Sequence, residues 1–226
     1  IPEMGLDWDL SEVVVGSIWL YLRRGDLAAA HRVADSYIRE HVRPDLRDLR
    51  DIAQAALMNA DGDRVSALAL AEPIIRSSIV RDPSTFRLAI VEAVEAAFAL
   101  DDLAKVGEVI EYFHENSRPG RQPSIDAHIA RWEARLAAAR GDRDEAGSKF
   151  RRAADAFSAL SRPFWLAVTR LELVESLLTQ GYGADARELA AQALATFNEL
   201  RAGPWIARAE AAVAAYAESG VRSISA

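Results

Sequence analysis

Histidine, carboxylate and arginine side chains at helical spacing are the residues of this sequence that could do chemistry. Glu111 and His114 lie three residues apart, so on a helix both side chains face the same side. The same Glu-x-x-His spacing binds iron in carboxylate helix bundles, which pair two such motifs. A second copy is missing here, and the chain has four histidines and no cysteine. We therefore interpret Glu111 and His114 as residues of a solvated helix end. A helical metalloenzyme that uses them to bind a metal is the remote alternative.

A second set of residues, His128, Arg131 and Arg135, also shares one helical face through its spacing of three and four. Arginine presents a planar fork of donors that fits a carboxylate, so this stripe could clamp an acidic group of a partner. The alternative is a solvated face whose arginines pair with nearby Glu and Asp side chains. Recognition, rather than catalysis, is the chemistry that these residues favour.

The other motifs with possible chemistry are explained by turns and helix ends. Gly181-Tyr182-Gly183 is an isolated Gly-x-Gly after a helical segment, and Asp61-Gly62-Asp63 lacks the twelve-residue spacing of a calcium loop. Paired carboxylates such as Asp101-Asp102 lie where capping and the helix dipole already favour them. We therefore predict no catalytic residue, no cofactor and no metal site, and a chain that is not itself an enzyme.

Composition excludes several classes of partner. Of the 226 residues, 50% are hydrophobic and 27% are charged, which is typical of a folded, soluble chain. A formal net charge of -7 disfavours binding to nucleic acid. The lack of cysteine favours a reducing cytoplasm. The most apolar segment, Val13 to Leu22, is shorter than the roughly 20 residues that cross a bilayer, so no membrane association is predicted.

The sequence repeats itself with an offset of 40 residues in its second half. Six identical pairs share this offset: Gly141 and Gly181, Ala146 and Ala186, Ala153 and Ala193, Phe157 and Phe197, Leu160 and Leu200, and Trp165 and Trp205. Earlier turns keep a spacing of 37 to 40 residues, at Gly25, Gly62, Asp101 and Gly141. A fixed period in this range indicates stacked units that bury their apolar faces against one another.

Within each unit the apolar residues recur at three and four, the period of a helix. Gly or Asp ends the first helix of each pair, and Pro83, Pro123, Pro163 and Pro204 stand at or just before helix starts, where proline is tolerated. The predicted pairs are 10–24 with 27–41, 45–60 with 64–81, 84–100 with 103–116, 124–140 with 143–160, and 164–180 with 184–200, followed by a last helix over 204–218.

Two groups of repeats are expected, separated by a segment rich in proline and glycine. Residues 1–116 would hold three helix pairs, residues 117–124 a linker or bend, and residues 125–226 the remaining pairs with a closing helix. The predicted fold is all-α with about eleven helices.

The segment 140–153 resembles the turn and second helix of a tetratricopeptide repeat. That family places small residues where its two helices cross, here Ala146 and Ala153, with Phe150 between them. The same positions hold Ala30, Ala34 and Tyr37 in the first unit, and Ala186, Ala190 and Ala193 in the fifth. The first helices mostly lack the family's Trp and Gly-Tyr pattern, and the period exceeds the usual 34 residues. The resemblance implies a right-handed superhelical stack of antiparallel helix pairs.

A narrower resemblance lies in 161–165 and 201–209, which look like segments that close the repeat regions of large bacterial signalling proteins. Those proteins join a nucleotide cyclase, or a LuxR-type DNA-binding domain, to an ATPase module. Lys105 and Lys149 are the only lysines in the sequence. This arginine-rich, lysine-poor composition is typical of a GC-rich bacterial genome. It opens on Ile1 rather than Met, which indicates a fragment, and no basic helix-turn-helix follows the last helix, which favours the cyclase-linked arrangement.

The resemblance implies a scaffold that binds a protein, a peptide or other domains of the same polypeptide. In the family the first helices line the concave face, and the candidate lining here is Trp19, Arg23, Asn59, Glu95, His128, Arg131, Arg135 and Glu175. The alternative function is a small-molecule sensor in which a ligand in this groove shifts the curvature of the stack.

Overall fold

The computed structural model describes residues 4–40, 47–78, 83–116, 122–178 and 183–224. All secondary structure within these ranges is α-helical, in eleven helices: α1 (Met4–Arg24), α2 (Leu27–Glu40), α3 (Arg47–Asp61), α4 (Arg64–Ser78), α5 (Pro83–Ala99), α6 (Leu103–Asn116), α7 (Pro123–Arg140), α8 (Arg143–Ala159), α9 (Pro163–Leu178), α10 (Gly183–Leu200) and α11 (Gly203–Ile224). The all-α prediction is confirmed. In the described part of the chain no helix combines the length and apolarity needed to cross a bilayer.

The helix boundaries follow the predicted ones closely, with the largest differences at the two ends of the chain. α1 begins at Met4, earlier than the predicted residue 10, and α11 continues to Ile224 instead of ending at 218. Pro83, Pro123 and Pro163 are each the first residue of a helix, where the missing amide hydrogen costs nothing.

Left-handed residues end several helices and allow the chain to reverse. Gly25, Gly62 and Gly141 have φ of 80°, 93° and 83°. After Gly141 the amide of Asp142 donates to the carbonyl of Ala137 at 2.9 Å, which satisfies a carbonyl that the helix end leaves open. The predicted glycine turn at Gly181 lies outside the described residues.

The chain divides into two compact units, Ile1–Pro119 and Gly120–Ala226. In the first unit the consecutive pairs α1 and α2, α3 and α4, and α5 and α6 are in contact, while α1 also packs on α3 and α3 on α5. The second unit repeats this pattern with α7 to α11, where α7 packs on α9 and α9 on α11. We call α1, α3, α5, α7 and α9 the first helices. The linker predicted over 117–124 falls mostly on residues outside the described ranges.

Small residues of the second helices are buried in both units. Ala30 and Ala34 are buried in the first unit. In the second unit the buried residues at these positions are Ala146, Phe150, Ala153, Ala186, Ala190 and Ala193. Because its side chain is short, alanine lets two helix backbones approach closely. Tyr37 lies outside the residues whose side chains are described.

Candidate functional site

Two glutamates on first helices, Glu92 in α5 and Glu172 in α9, are the centres of the polar groups buried in each unit. Both are buried, and they lie 80 positions apart in the sequence, which is twice the repeat offset. Each precedes a second glutamate by three residues, Glu95 and Glu175, so each pair shares a helical face. Most of the predicted groove residues gather around these two positions.

Neutral donors hold the Glu92 carboxyl in the first unit. The indole Nε1 of Trp19 donates to Oε1 at 2.8 Å. The amide Nδ2 of Asn59 donates to Oε2 at 2.8 Å and to the backbone carbonyl of Glu92 at 3.0 Å. Asn59 Oδ1 is buried and has no hydrogen-bond partner. The carboxyl group of Glu92 thus joins α1, α3 and α5. One acceptor of the site, Asn59 Oδ1, is left unused.

Burial sets the protonation of Glu92. Removal from water raises the pKa of its carboxyl above the ordinary value, and the nearby Glu95 acts in the same direction. The hydrogen bonds from Asn59 and Trp19, together with the charge of Arg23, act in the opposite direction and are outweighed. The neutral acid is therefore favoured at Glu92 above the pH at which an exposed glutamate ionises.

A buried ion pair holds the Glu172 carboxylate in the second unit. Arg131 donates from Nε to Oε2 at 2.6 Å and from Nη2 to Oε1 at 2.7 Å. The Arg131 side chain is 0% exposed and that of Glu172 is 5% exposed. Arg135 Nη1 lies 3.6 Å from the same carboxylate. The geometry is the two-pronged arrangement that arginine and carboxylate prefer, and it joins α7 to α9.

Aromatic rings surround His128, one turn before Arg131. The imidazole centroid lies 5.2 Å from the Trp132 ring, 4.9 Å from the Phe157 ring and 4.5 Å from the Trp165 ring. The guanidinium carbon of Arg131 is 5.3 Å from the centre of the Trp165 ring, within the range of a cation–π contact. His128 therefore packs as a member of the aromatic core between α7, α8 and α9.

A second arginine fork reaches Glu175 from the last helix. Arg208 in α11 donates from Nε and Nη2 to the two carboxylate oxygens at 2.7 and 2.6 Å. Its guanidinium carbon lies 5.2 Å from the centre of the Trp205 ring. The two side chains are partly exposed, so this pair lies nearer the surface than the pair of Arg131 and Glu172.

The structure corrects the predicted exposure of three groove residues. Asn59, His128 and Arg131 are 6%, 2% and 0% exposed. The expectation that they lie on an open face is wrong, because each faces a neighbouring first helix or the aromatic core. In particular, Arg131 already binds a carboxylate of its own chain and cannot offer its fork to a partner.

The other predicted lining residues are half-buried, and their role in binding stays a prediction. They are Trp19, Arg23, Glu95, Arg135 and Glu175. Sequence reasoning missed Glu92, Glu172 and Arg208. The two glutamates had a usable signal, since each is an acidic residue inside an apolar helical run at the same place in the repeat.

The alternative metal pair gains no further ligands. Glu111 and His114 are exposed on α6. Among the described residues, no group of three or more His, Cys, Asp and Glu side chains is placed to hold a metal ion.

A scan against models of protein families finds no match, and a search of the curated proteins finds none either.

Proposed function

We propose that this chain is a non-catalytic scaffold of the tetratricopeptide-like kind, a right-handed superhelical stack of helix pairs that binds a protein or another domain of its own polypeptide. Its proposed setting is a large bacterial signal-transduction protein in the cytoplasm, with the cyclase-linked arrangement preferred. The observation that carries the proposal is the packing of consecutive first helices on one another in each unit. Repeat proteins use such a row of helices as an extended binding face.

The use of polar side chains supports a scaffold. The buried carboxyl groups of Glu92 and Glu172 are held by donors from neighbouring first helices. Such contacts fix the spacing and register of the helices, a role that buried polar groups play in some helical assemblies. These groups therefore have a structural use that requires no substrate.

One repeat position is the proposed contact point for the partner. Trp19, Glu95, Arg135 and Glu175 each lie six residues before a Gly or Asp of the sequence repeat, at positions 25, 101, 141 and 181. Each of the four side chains is half-buried. Three of these side chains also contact residues of their own chain: Trp19 donates to Glu92, Arg135 lies near Glu172, and Glu175 binds Arg208. Their partly exposed portions lie at the edge of the buried polar groups. They are placed to contact a partner without opening the core.

Photo-cross-linking from this position tests the proposal. A photoreactive amino acid replaces Glu95 or Glu175, and matched controls carry it at the exposed Glu111 of α6 or Glu188 of α10. We expect each first-helix position to trap a partner protein or domain in cells, and the second-helix control of the same unit not to trap it. Trapping from the controls alone, or from none of the four positions, would refute the proposed face.

A sensor of small molecules is the second candidate, and one feature of the second unit favours it. This feature is a small apolar cavity beside α10. A saturable increase in the melting temperature on addition of a metabolite would distinguish sensing of a small molecule from partner binding.

A further inference from the structure

An apolar cavity lies in the second unit between α9, α10 and α11. Its volume is about 160 Å³. Eight residues line it: Val174, Ala186, Arg187, Ala190, Ala191, Leu194, Ala212 and Val213. All of them belong to the second unit, and none takes part in the polar groups around Glu172 and Glu175.

The cavity exists because small side chains meet where larger ones would be needed to fill the space. Four of the lining residues are alanines, three on α10 and one on α11. Val174 and Ala190 are buried, while Val213 is 39% exposed. The space thus runs from the core to the protein surface and is open to a ligand without unfolding of the unit.

The volume and lining define the size of an apolar ligand. An engineered protein cavity of roughly 150 Å³ with aliphatic and aromatic walls stays dry and binds benzene. The cavity here has a similar volume and an almost wholly apolar wall, so water gains few hydrogen bonds inside it. A group of about six carbon atoms fits this space.

The one charged residue in the lining adds a preference for an anion. Arg187 is exposed on α10, and its guanidinium fork fits a carboxylate. Arg187 lies on α10 between the buried lining residues Ala186 and Ala190. Its guanidinium group therefore lies beside the wall of the cavity. A ligand with an apolar group inside the cavity and a carboxylate toward solvent would contact both the apolar wall and Arg187.

We propose that this cavity binds a small carboxylate whose apolar body has about six carbon atoms. The inference concerns a ligand of the second unit and does not depend on partner binding by the first helices. Hexanoate is the probe, and hexanol is the matched probe without charge.

Methyl NMR of the whole chain, labelled at alanine and valine, locates and measures the binding. We expect saturable shifts at Val174, Ala190 and Val213 with a dissociation constant for hexanoate on the order of 1 mM. Hexanol should bind about two- to fivefold more weakly than hexanoate, because it cannot form the exposed ion pair with Arg187 and such a pair contributes an affinity of this size. The absence of saturable shifts at these three residues would overturn the proposal. Equal affinities of hexanoate and hexanol would overturn the preference for a carboxylate.

A cavity-filling variant gives an independent test. Ala191→Leu places extra carbon atoms at an exposed wall position, and we expect it to weaken hexanoate binding by about tenfold. Ala195→Leu, at an exposed position of α10 outside the lining, is the control and should bind as the original chain does. Equal binding by both variants would place the ligand elsewhere. If Ala191→Leu does not fold, the map of methyl shifts in the original chain decides alone.

The charge is tested by Arg187→Gln, with Arg152→Gln on α8 as the control. We expect Arg187→Gln to remove the advantage of hexanoate over hexanol, and Arg152→Gln to retain it. Retention of the advantage in Arg187→Gln would overturn the assignment of Arg187 to the carboxylate.

Discussion

The same substitution at two repeat-related positions should have very different costs. Glu172→Gln removes the charge that pairs with Arg131, and the guanidinium is then left buried without a counter-charge. Breaking a buried ion pair in this way costs about 3–5 kcal/mol, a large share of the 5–15 kcal/mol that is typical of a folded domain. Glu92→Gln replaces a carboxyl group that neutral donors hold, so no buried charge loses its partner.

The predicted cost of Glu92→Gln is small because the site can adapt. The new amide keeps one acceptor oxygen and presents an NH2 group where the other oxygen of Glu92 accepted a hydrogen bond. The Asn59 Oδ1 that lacks a partner can accept from this NH2 group after the Asn59 amide rotates, with loss of the bond from Nδ2 to the backbone carbonyl of residue 92. We expect the free energy of unfolding to change by about 1 kcal/mol or less, the net worth of one hydrogen bond.

Urea unfolding of the two variants, followed by far-UV circular dichroism at pH 7, measures both costs. Similar losses of 3 kcal/mol or more in both variants would refute the reasoning, because Glu92 would then act as a paired charge.

The pH dependence of the same variants gives the sign of the effect. The raised pKa of Glu92 means that the folded chain binds more protons than the unfolded chain once the pH exceeds the ordinary value of about 4.5. The stabilisation from this group is therefore complete below that pH and is lost as the pH rises through the folded-state pKa, by at most about 1.4 kcal/mol per pH unit. Glu92→Gln should lack this dependence, and an equal slope in both chains would contradict the assignment.

Two further predictions concern the buried pair and the helix ends. Arg131→Met alone should lower the free energy of unfolding by about 3–5 kcal/mol. Adding Glu172→Met should recover most of the loss, because neither member of the buried pair then carries a charge and Arg135, which also contacts Glu172, is partly exposed. Urea unfolding checks this, and a double variant no more stable than the single one would contradict it. Arg201 has φ of 55°, so Arg201→Gly should raise the melting temperature by relieving about 1 kcal/mol of strain, whereas Arg152→Gly in the interior of α8 should lower it by a similar free energy; a destabilised Arg201→Gly would show that the turn carries no strain.

The repeat pattern predicted the helices of the fold. The three-and-four period of apolar residues, with glycine and proline at the ends, located them to within a few residues except at the two ends of the chain, because these signals are local. The repeat spacing predicted a turn at Asp101, whose residue type tolerates the left-handed region. The left-handed conformations of Ser161 and Arg201 had no comparable signal, because neither residue type favours them.

The burial of the polar residues could not be predicted in the same way. The spacing of His128, Arg131 and Arg135 shows that they share a face, but it does not show what covers that face. Arg131 meets its partner Glu172 on another helix, 41 residues away. The pairing depends on how two first helices pack, which a pattern within one helix does not contain.

The difference between Glu92 and Glu172 is also a matter of neighbours. Both positions fit the repeat equally well, and the sequence around each is apolar. Their chemistry separates only because α7 supplies an arginine in the second unit, whereas α1 and α3 supply an indole and an amide in the first.

The most direct test of the scaffold proposal is the affinity of the cross-linked partner for charge-reversed chains. Glu95→Arg changes the proposed contact position of α5, and Glu111→Arg makes the same change on α6. We predict that Glu95→Arg weakens binding of that partner by about tenfold, as reversal of a contact charge in an interface does, while Glu111→Arg leaves it unchanged. Unchanged binding by Glu95→Arg, or equal weakening by both variants, would contradict the proposal that the first helices form the binding face.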